Sequence, residues 1–308
     1  IVPSYLAEFS AASRIAGPVK VVVDGGNGSG GLICADLLQA SGAEVIPLYC
    51  EPDGSFPNHH PDPTIEANLN DLSRNVREHG ADFGFGLDGD ADRIGAVDAA
   101  GNMIYGDRLL ALYARDVLAE HPGARIVGEV KCSHLLYKDI EEHGGVPDMW
   151  MAGHSMIKAR MKETGALLAG EMSGHMFFAD RFPGYDDAIY AGLRLAEIVS
   201  KADAPLAELV DTWPETYNTP EIRMDCPEEI KFQVTEKARE YFPSKFQCVT
   251  VDGVRLIFDD GWALLRASNT QPALVMRFEA ETESRLAEIR KIVEEPLSQW
   301  IESMQTDQ

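Results

Sequence analysis

Apolar residues in this chain fall into short solid runs that alternate with stripes of helical period. Residues 18–24, Pro-Val-Lys-Val-Val-Val-Asp, are apolar enough for a strand buried on both faces. A glycine-rich turn follows, then a helix carrying Leu32, Ile33, Leu37 and Leu38 that ends near Gly42. Residues 43–49 read as the next strand. Ile65, Leu69, Leu72 and Val76 recur at helical spacing up to Gly80. Phe83-Gly84-Phe85-Gly86-Leu87 and Ile94-Gly95-Ala96-Val97 then read as strands flanking a polar loop. This β-α-β-α-β order predicts an α/β domain.

The pattern restarts after Gly101. A helix from Asp107 carries Leu110, Tyr113 and Val117, and the strand Arg125–Val130 follows. Residues 184–199 predict another helix, with Asp186 or Asp187 at its N-cap. No sequence repeat is visible, yet two α/β units in tandem fit the order. Residues 210–220 break both periodicities and read as a linker. Beyond it, Leu274, Met276 and Phe278 alternate as in a strand, and Leu286, Ile289, Ile292 and Val293 stripe a closing helix. The expectation is α/β: two tandem mixed α/β domains, 1–102 and 103–214, then a smaller α+β domain, 215–308.

Composition narrows the partners. The 308 residues carry a net charge of −23 with no basic run, which argues against nucleic acid and anionic membranes. Any anionic substrate must find local clusters of Arg, Lys and His. Five scattered cysteines without a C-x-x-C pair fit a reduced, cytoplasmic protein. No apolar run is long enough to span a membrane, and no signal peptide is visible.

The densest chemistry is Asp88-Gly89-Asp90-Ala91-Asp92-Arg93, in the first polar loop. Carboxylates this close repel unless a cation joins them, and an all-oxygen set suits a hard metal, Mg²⁺ or Ca²⁺. An EF-hand would need Gly and Glu where Arg93 and Ala99 stand. A solvated acidic turn leaves Arg93 and the flanking strands unexplained. A metal site for phosphoryl transfer, with Arg93 adding a charge-assisted contact, accounts for both. Two more loops join it. Gly170-Glu171-Met172-Ser173-Gly174-His175 offers donors and acceptors suited to sugar hydroxyls, or is simply a polar turn between strands. Arg266-Ala267-Ser268-Asn269-Thr270-Gln271-Pro272 is either a phosphate cradle or a polar hairpin; in so acidic a chain the Arg-led donors favour phosphate.

These three loops, in this order and spacing, resemble those of the α-D-phosphohexomutase family, and most closely its phosphomannomutase/phosphoglucomutase branch, from Ile1 to about residue 300. The resemblance implies an isomerase that moves phosphate reversibly between C1 and C6 of a hexose. An enzyme phosphoserine and a 1,6-bisphosphate intermediate carry the transfer, with hexose 1,6-bisphosphate as activator. It implies Mg²⁺ on Asp88, Asp90 and Asp92, with Arg93 on the transferring phosphoryl group. Glu171 and Ser173 would hold sugar hydroxyls. Lys131, His154 and His175 would contact substrate, and Arg266, Ser268, Asn269 and Thr270 would hold the phosphate that is not reacting. Taken alone, Lys131 reads as a surface charge and His154 as a helix cap.

One part of the family pattern does not occur: no Thr-Ala-Ser-His-Asn-Pro loop carries a nucleophilic serine, and Ser133-His134 lacks the Asn-Pro that should follow. With Ile1 rather than Met first, the expectation is a chain matching the family's second to fourth domains, inactive alone and partnered by its own N-terminal domain. A monomer and a dimer fit equally. A non-catalytic sugar-phosphate binder is the alternative. A NAD-dependent dehydrogenase is a further one, because Gly26-Asn27-Gly28-Ser29-Gly30-Gly31 fits G-x-G-x-x-G and Glu51 follows at a suitable distance. A haloacid-type phosphatase would need Thr or Val at Asp92.

Overall fold

The computed structural model describes residues 1–268 and 271–306. The backbone divides into two compact units, Ile1–Asp148 with Gly153–Trp213, and Met149–Ala152 with Pro214–Gln308.

The first unit opens with α1 (Val2–Ala11), β1 (Lys20–Asp24), α2 (Gly31–Ala40) and β2 (Glu44–Leu48). The helical stripe of residues 65–79 becomes a 3-10 turn, Glu66–Leu69, running into α3 (Asn70–His79). β3 (Phe83–Leu87), β4 (Ile94–Asp98) and β5 (Met103–Ile104) complete a five-stranded sheet of order β2-β1-β3-β4-β5. β1 pairs in parallel with β2 and β3, whereas β3–β4 and β4–β5 are antiparallel. The solid apolar strands are accounted for by burial: every residue of β3 and β4 is buried.

The second half of this unit contains α4 (Gly106–Glu120), β6 (Arg125–Glu129), α5 (His134–Glu142), β7 (Val146–Trp150), α6 (His154–Thr164), β8 (Leu168–Gly170), β9 (Met176–Phe178), α7 (Ala188–Lys201) and α8 (Leu206–Val210). Its sheet order is β7-β6-β8-β9, with β6–β8 parallel and β8–β9 antiparallel. This matches the order β2-β1-β3-β4 strand for strand, so the repeat invisible in the residues is present in the topology. One continuous core, with Phe83 and Phe85 of β3, Phe178 of β9, Tyr113 of α4 and Tyr190 of α7, joins the two halves.

The helix expected from residue 184 starts four residues later. Asp187 is its N-cap, accepting from the Tyr190 amide at 2.8 Å. Asp186 is the other candidate cap and instead faces Lys158 and His154. The linker expected at 210–220 contains a short strand, β10 (Tyr217–Asn218). In the second unit β11 (Ile222–Asp225), α9 (Glu228–Tyr241), β12 (Gln247–Val249), β13 (Val254–Phe258), β14 (Gly261–Ala267), β15 (Ala273–Ala280) and α10 (Glu283–Thr306) follow. The sheet is antiparallel, order β10-β15-β14-β13-β12, with β11 also on β15. Val254, Leu256, Leu265, Leu274, Met276 and Phe278 pack with Ile230, Val234, Ile289 and Val293 of the two helices. All five cysteines are free thiols.

A buried ion-pair network braces the first unit. The Arg194 guanidinium on α7, 1% exposed, donates to both oxygens of Asp180 and to Asp116 Oδ2, each at 2.9 Å, and lies over the Phe178 ring. Burial opposes its charge, but the Asp180 contacts outweigh burial and raise its pKa. Removing one partner of a buried pair strands the other. Arg194→Leu is therefore expected to destabilise the chain by about 3–5 kcal/mol. Urea unfolding measures this, and an unchanged midpoint would contradict the role.

Candidate functional site

The acidic loop is the turn of the β3–β4 hairpin. Asp88, 2% exposed, organises it. Its Oδ1 accepts from the amides of Asp92 (3.0 Å) and Arg93 (3.1 Å), and its Oδ2 accepts from Arg93 Nε at 2.7 Å. Ala91 closes the turn at φ +63°, a left-handed conformation uncommon for a residue with a Cβ. The ligand atoms of Asp88, Asp90 and Asp92 all lie within 4.8 Å of one another. Burial, together with Asp88 and Asp90, raises the Asp92 pKa. Three hard oxygens this close, one of them resisting ionisation, fit a divalent cation. Arg93 also reaches Asp62 Oδ1 at 3.4 Å.

The glycine-rich turn lies directly against this loop. The Ser29 amide, which a dinucleotide fingerprint would offer to a pyrophosphate, donates to the Gly89 carbonyl at 3.0 Å. A Cβ at Gly28 would sit 2.8 Å from that same oxygen. The turn is a buttress for the acidic loop, and the dehydrogenase alternative loses the amides it rested on.

Glu171-Met172-Ser173-Gly174-His175 is the corresponding hairpin turn, between β8 and β9, and the two turns meet. The Ile94 amide donates to the Gly174 carbonyl at 3.1 Å, and Arg93 bridges His175 in antiparallel fashion. A Cβ at Gly174, φ +91°, would sit 2.3 Å from the Ile94 carbonyl oxygen, so the junction requires glycine. His175 Nδ1 lies 2.8 Å from Ser173 Oγ and 3.2 Å from Glu171 Oε2, and its Nε2 is 3.3 Å from Asp92 Oδ1. Burial disfavours charge on His175, but Glu171 and Asp92 outweigh it and raise its pKa. Burial likewise works against a charged Glu171, yet His175 and the Gly153 amide bring its pKa below the ordinary value. Glu171 Oε1 accepts from that amide at 2.6 Å, at the N-cap of α6.

His154 is the first residue of α6 rather than its cap. Its ring stacks on His175 at 5.5 Å between centroids, and its Nδ1 is 3.1 Å from Asp186 Oδ2. Asp186 Oδ1 accepts from Lys158 Nζ at 2.8 Å. Asp92, His175 and Asp186 also come within ligating distance, but Asp186 already faces Lys158 and His154. Lys131, whose side chain is 20% exposed, lies 3.5 Å from Glu129 Oε1. The Ser133 hydroxyl caps α5, accepting from the Leu135 amide at 3.1 Å, and so serves the helix.

In the second unit, Arg266 is the penultimate residue of β14, with its Nε 3.0 Å from Asp252 Oδ2. Buried Ser268 donates its amide to the Ala273 carbonyl at 2.9 Å and accepts from the Gln271 amide at 3.1 Å on its hydroxyl. Asn269 and Thr270 lie outside the described residues. Lys231, 1% exposed, donates to the Gln271 carbonyl at 3.0 Å from α9.

Sequence reasoning missed Glu129, Asp186, Lys158 and Asp62; Lys158 shares α6 with His154, and the others are distant in sequence from the motif they support. The one available signal was a charged residue ending an otherwise solid apolar strand, as at Glu129.

The chain is similar to known proteins along most of its length. The sequence models of phosphoglucomutase/phosphomannomutase alpha/beta/alpha domain II, alpha/beta/alpha domain III and the C-terminal domain match residues 3–101, 105–217 and 221–295. The phosphomannomutase/phosphoglucomutase of Pseudomonas putida is 47% identical over 293 residues, which are 95% of this chain and 63% of that protein. The phosphoglucomutase of Neisseria gonorrhoeae is 48% identical over 276 residues, 89% of this chain and 60% of that protein. The crystal structure of a phosphoglucomutase/phosphomannomutase family protein from Burkholderia thailandensis aligns with a TM-score of 0.88 at 41% identity, covering 94% of this chain and 62% of that one. The chain belongs to the phosphoglucomutase/phosphomannomutase family. It spans about 63% of the length of the first curated relatives it matches. Among the described residues no helix is long and apolar enough to cross a membrane.

The His59–Asp24 pair beside the glycine-rich turn supplies a pH test. His59 Nε2 is 3.0 Å from the buried Asp24 Oδ2, and this bond raises the His59 pKa above its ordinary 6.5, with burial opposing. Tyr49 and Asp71 are the other titratable groups beside it. A raised pKa means the folded state holds the proton more tightly. The stability this contributes is complete below about pH 6.5 and fades as pH rises through the folded value. The gap in urea midpoint between wild type and His59→Gln should shrink from pH 6 to pH 8. A gap that is constant with pH would show that the pair carries no charge.

Proposed function

We propose that this chain forms the metal-, sugar- and phosphate-binding parts of a phosphomannomutase/phosphoglucomutase. Such an enzyme moves phosphate between C1 and C6 of a hexose through a phosphoserine and a 1,6-bisphosphate. The observation that carries this reading is the junction of the two hairpins: a cluster of metal-suited oxygens lies against a loop of ionised carboxylate, hydroxyl and imidazole. A phosphosugar presents one feature to each, a phosphoryl group and its ring hydroxyls.

In this reading Asp88, Asp90 and Asp92 hold Mg²⁺. Bound there, the ion neutralises the carboxylates and polarises a phosphoryl oxygen. Arg93, anchored by Asp88 and Asp62, is fixed before substrate arrives and adds a charge-assisted donor. Glu171, ionised near neutral pH, accepts from sugar hydroxyls, and Ser173 can donate or accept. His175 orients both and is a substrate contact, and His154 and Lys131 extend the donor set. Arg266, Ser268, Asn269 and Thr270 hold the phosphate that is not reacting. The hydroxyl contacts must serve two substrate orientations, because either phosphate can face the metal. The family's serine string does not occur in this sequence, so the chain by itself is expected to bind and not to turn over.

Calorimetry with glucose 1,6-bisphosphate tests this. Mg²⁺ should strengthen binding, and Asp90→Asn, at an exposed position, should remove at least about tenfold of that gain without altering the fold. Binding of inorganic phosphate as tight as that of the bisphosphate would sink the sugar-loop assignment. Loss of the Asp90→Asn effect would sink the metal assignment.

A further inference from the structure

The two α/β halves end their central strands in the same way. β1 ends in Asp24 and β6 in Glu129, each buried at the equivalent place in the shared strand order. Asp24 is fully used: Oδ1 accepts from the Gly26 amide at 2.9 Å and Oδ2 faces His59. Glu129 differs. Its side chain is 0% exposed, and its Oε1 serves two donors from separate segments, the Met172 amide at 2.8 Å and Lys131 Nζ at 3.5 Å. Its Oε2 is buried and has no hydrogen-bond partner among the described residues. Glu171 lies close enough to repel it, and burial raises the Glu129 pKa.

A carboxylate in such a place is an unfavourable choice if the fold needs only an acceptor for one amide, since a glutamine oxygen could take that bond without a buried charge. The charge is explained by Lys131, whose ammonium also interacts with Glu171 and would otherwise be drawn toward it. Anchored at Glu129, it projects from the strand end beside the 171–175 turn.

We propose that Glu129 is a positioning residue that fixes the Lys131 ammonium and the Met172 amide together, setting the spacing between the cation and the hydroxyl-reading turn. It touches no substrate and acts through those two groups. The functional half of this inference rests on the phosphosugar reading above; the structural half does not.

The experiment has two arms, both on the intact chain. In the first, hydrogen exchange is followed at the Met172 amide in wild type and Glu129→Gln, with Val127 of β6 as the control. Replacing a charged acceptor by a neutral one should speed exchange at Met172 by about tenfold and leave Val127 unchanged. Equal acceleration at both would show general loosening and overturn the proposal, as would no change at Met172. In the second, glucose 1,6-bisphosphate affinity is measured for Glu129→Gln, Lys131→Met and the double variant. Each single change should weaken binding about tenfold, and the double should lose several-fold less than the product of the two. A loss equal to that product would mean that Glu129 does not work through Lys131. If wild type fails to bind the bisphosphate, the phosphosugar reading falls, and the exchange arm still decides the positioning.

Discussion

The carboxylate of Asp88 organises the acidic turn, and the rest of the candidate site depends on it. It is buried at the end of a strand, and its two oxygens gather two backbone amides and one guanidinium from residues no more than five positions ahead. The closure sends Ala91 into the left-handed region and brings the ligand atoms of Asp90 and Asp92 toward Asp88. It also aims Arg93 so that its backbone bridges His175 while its side chain spans Asp88 and Asp62. An asparagine here could still accept an amide bond but could not offset the guanidinium. Charge and geometry are inseparable at this one position.

The fold uses the same device repeatedly. Each candidate loop turns a hairpin: β3–β4, β8–β9 and β14–β15. In the α/β unit, each hairpin joins a strand parallel to the sheet centre with one that runs back, so the polar turn lies beside the ends of buried strands. The strands cannot slide without carrying apolar side chains into water, which holds the turns to a fixed register. Ring hydroxyls and phosphates are recognised by direction as much as by charge, and rigid strands supply direction better than free loops do.

Much of this was legible along the chain. The acidic turn was readable because its groups are contiguous and because Phe83–Leu87 and Ile94–Val97 mark it as a strand connection. The α/β class followed from solid apolar runs alternating with helical stripes. The supporting shell was not legible. Glu129, Asp186 and Asp62 reach the site from other segments, and nothing in the local pattern states where a chain will fold back. The cap of α7 shows the limit at close range. Asp186 and Asp187 are chemically alike in the sequence, and packing alone assigns one to the helix and the other to a lysine and a histidine. The tandem of two α/β halves was legible in the pattern that restarts after Gly101, and only the strand order they share was hidden, because strand order can be shared where residues are not.

The contact between the glycine-rich turn and the acidic turn bears on what this lineage can become. The same amide that could cradle a nucleotide pyrophosphate is bonded to the backbone of the acidic turn, and the neighbouring glycine leaves no room for a side chain between them. Cofactor binding at this strand end would require releasing that turn, and with it the grouped carboxylates. The two chemistries compete for one set of backbone groups. A chain built in this way cannot acquire a dinucleotide at that corner while keeping its acidic turn.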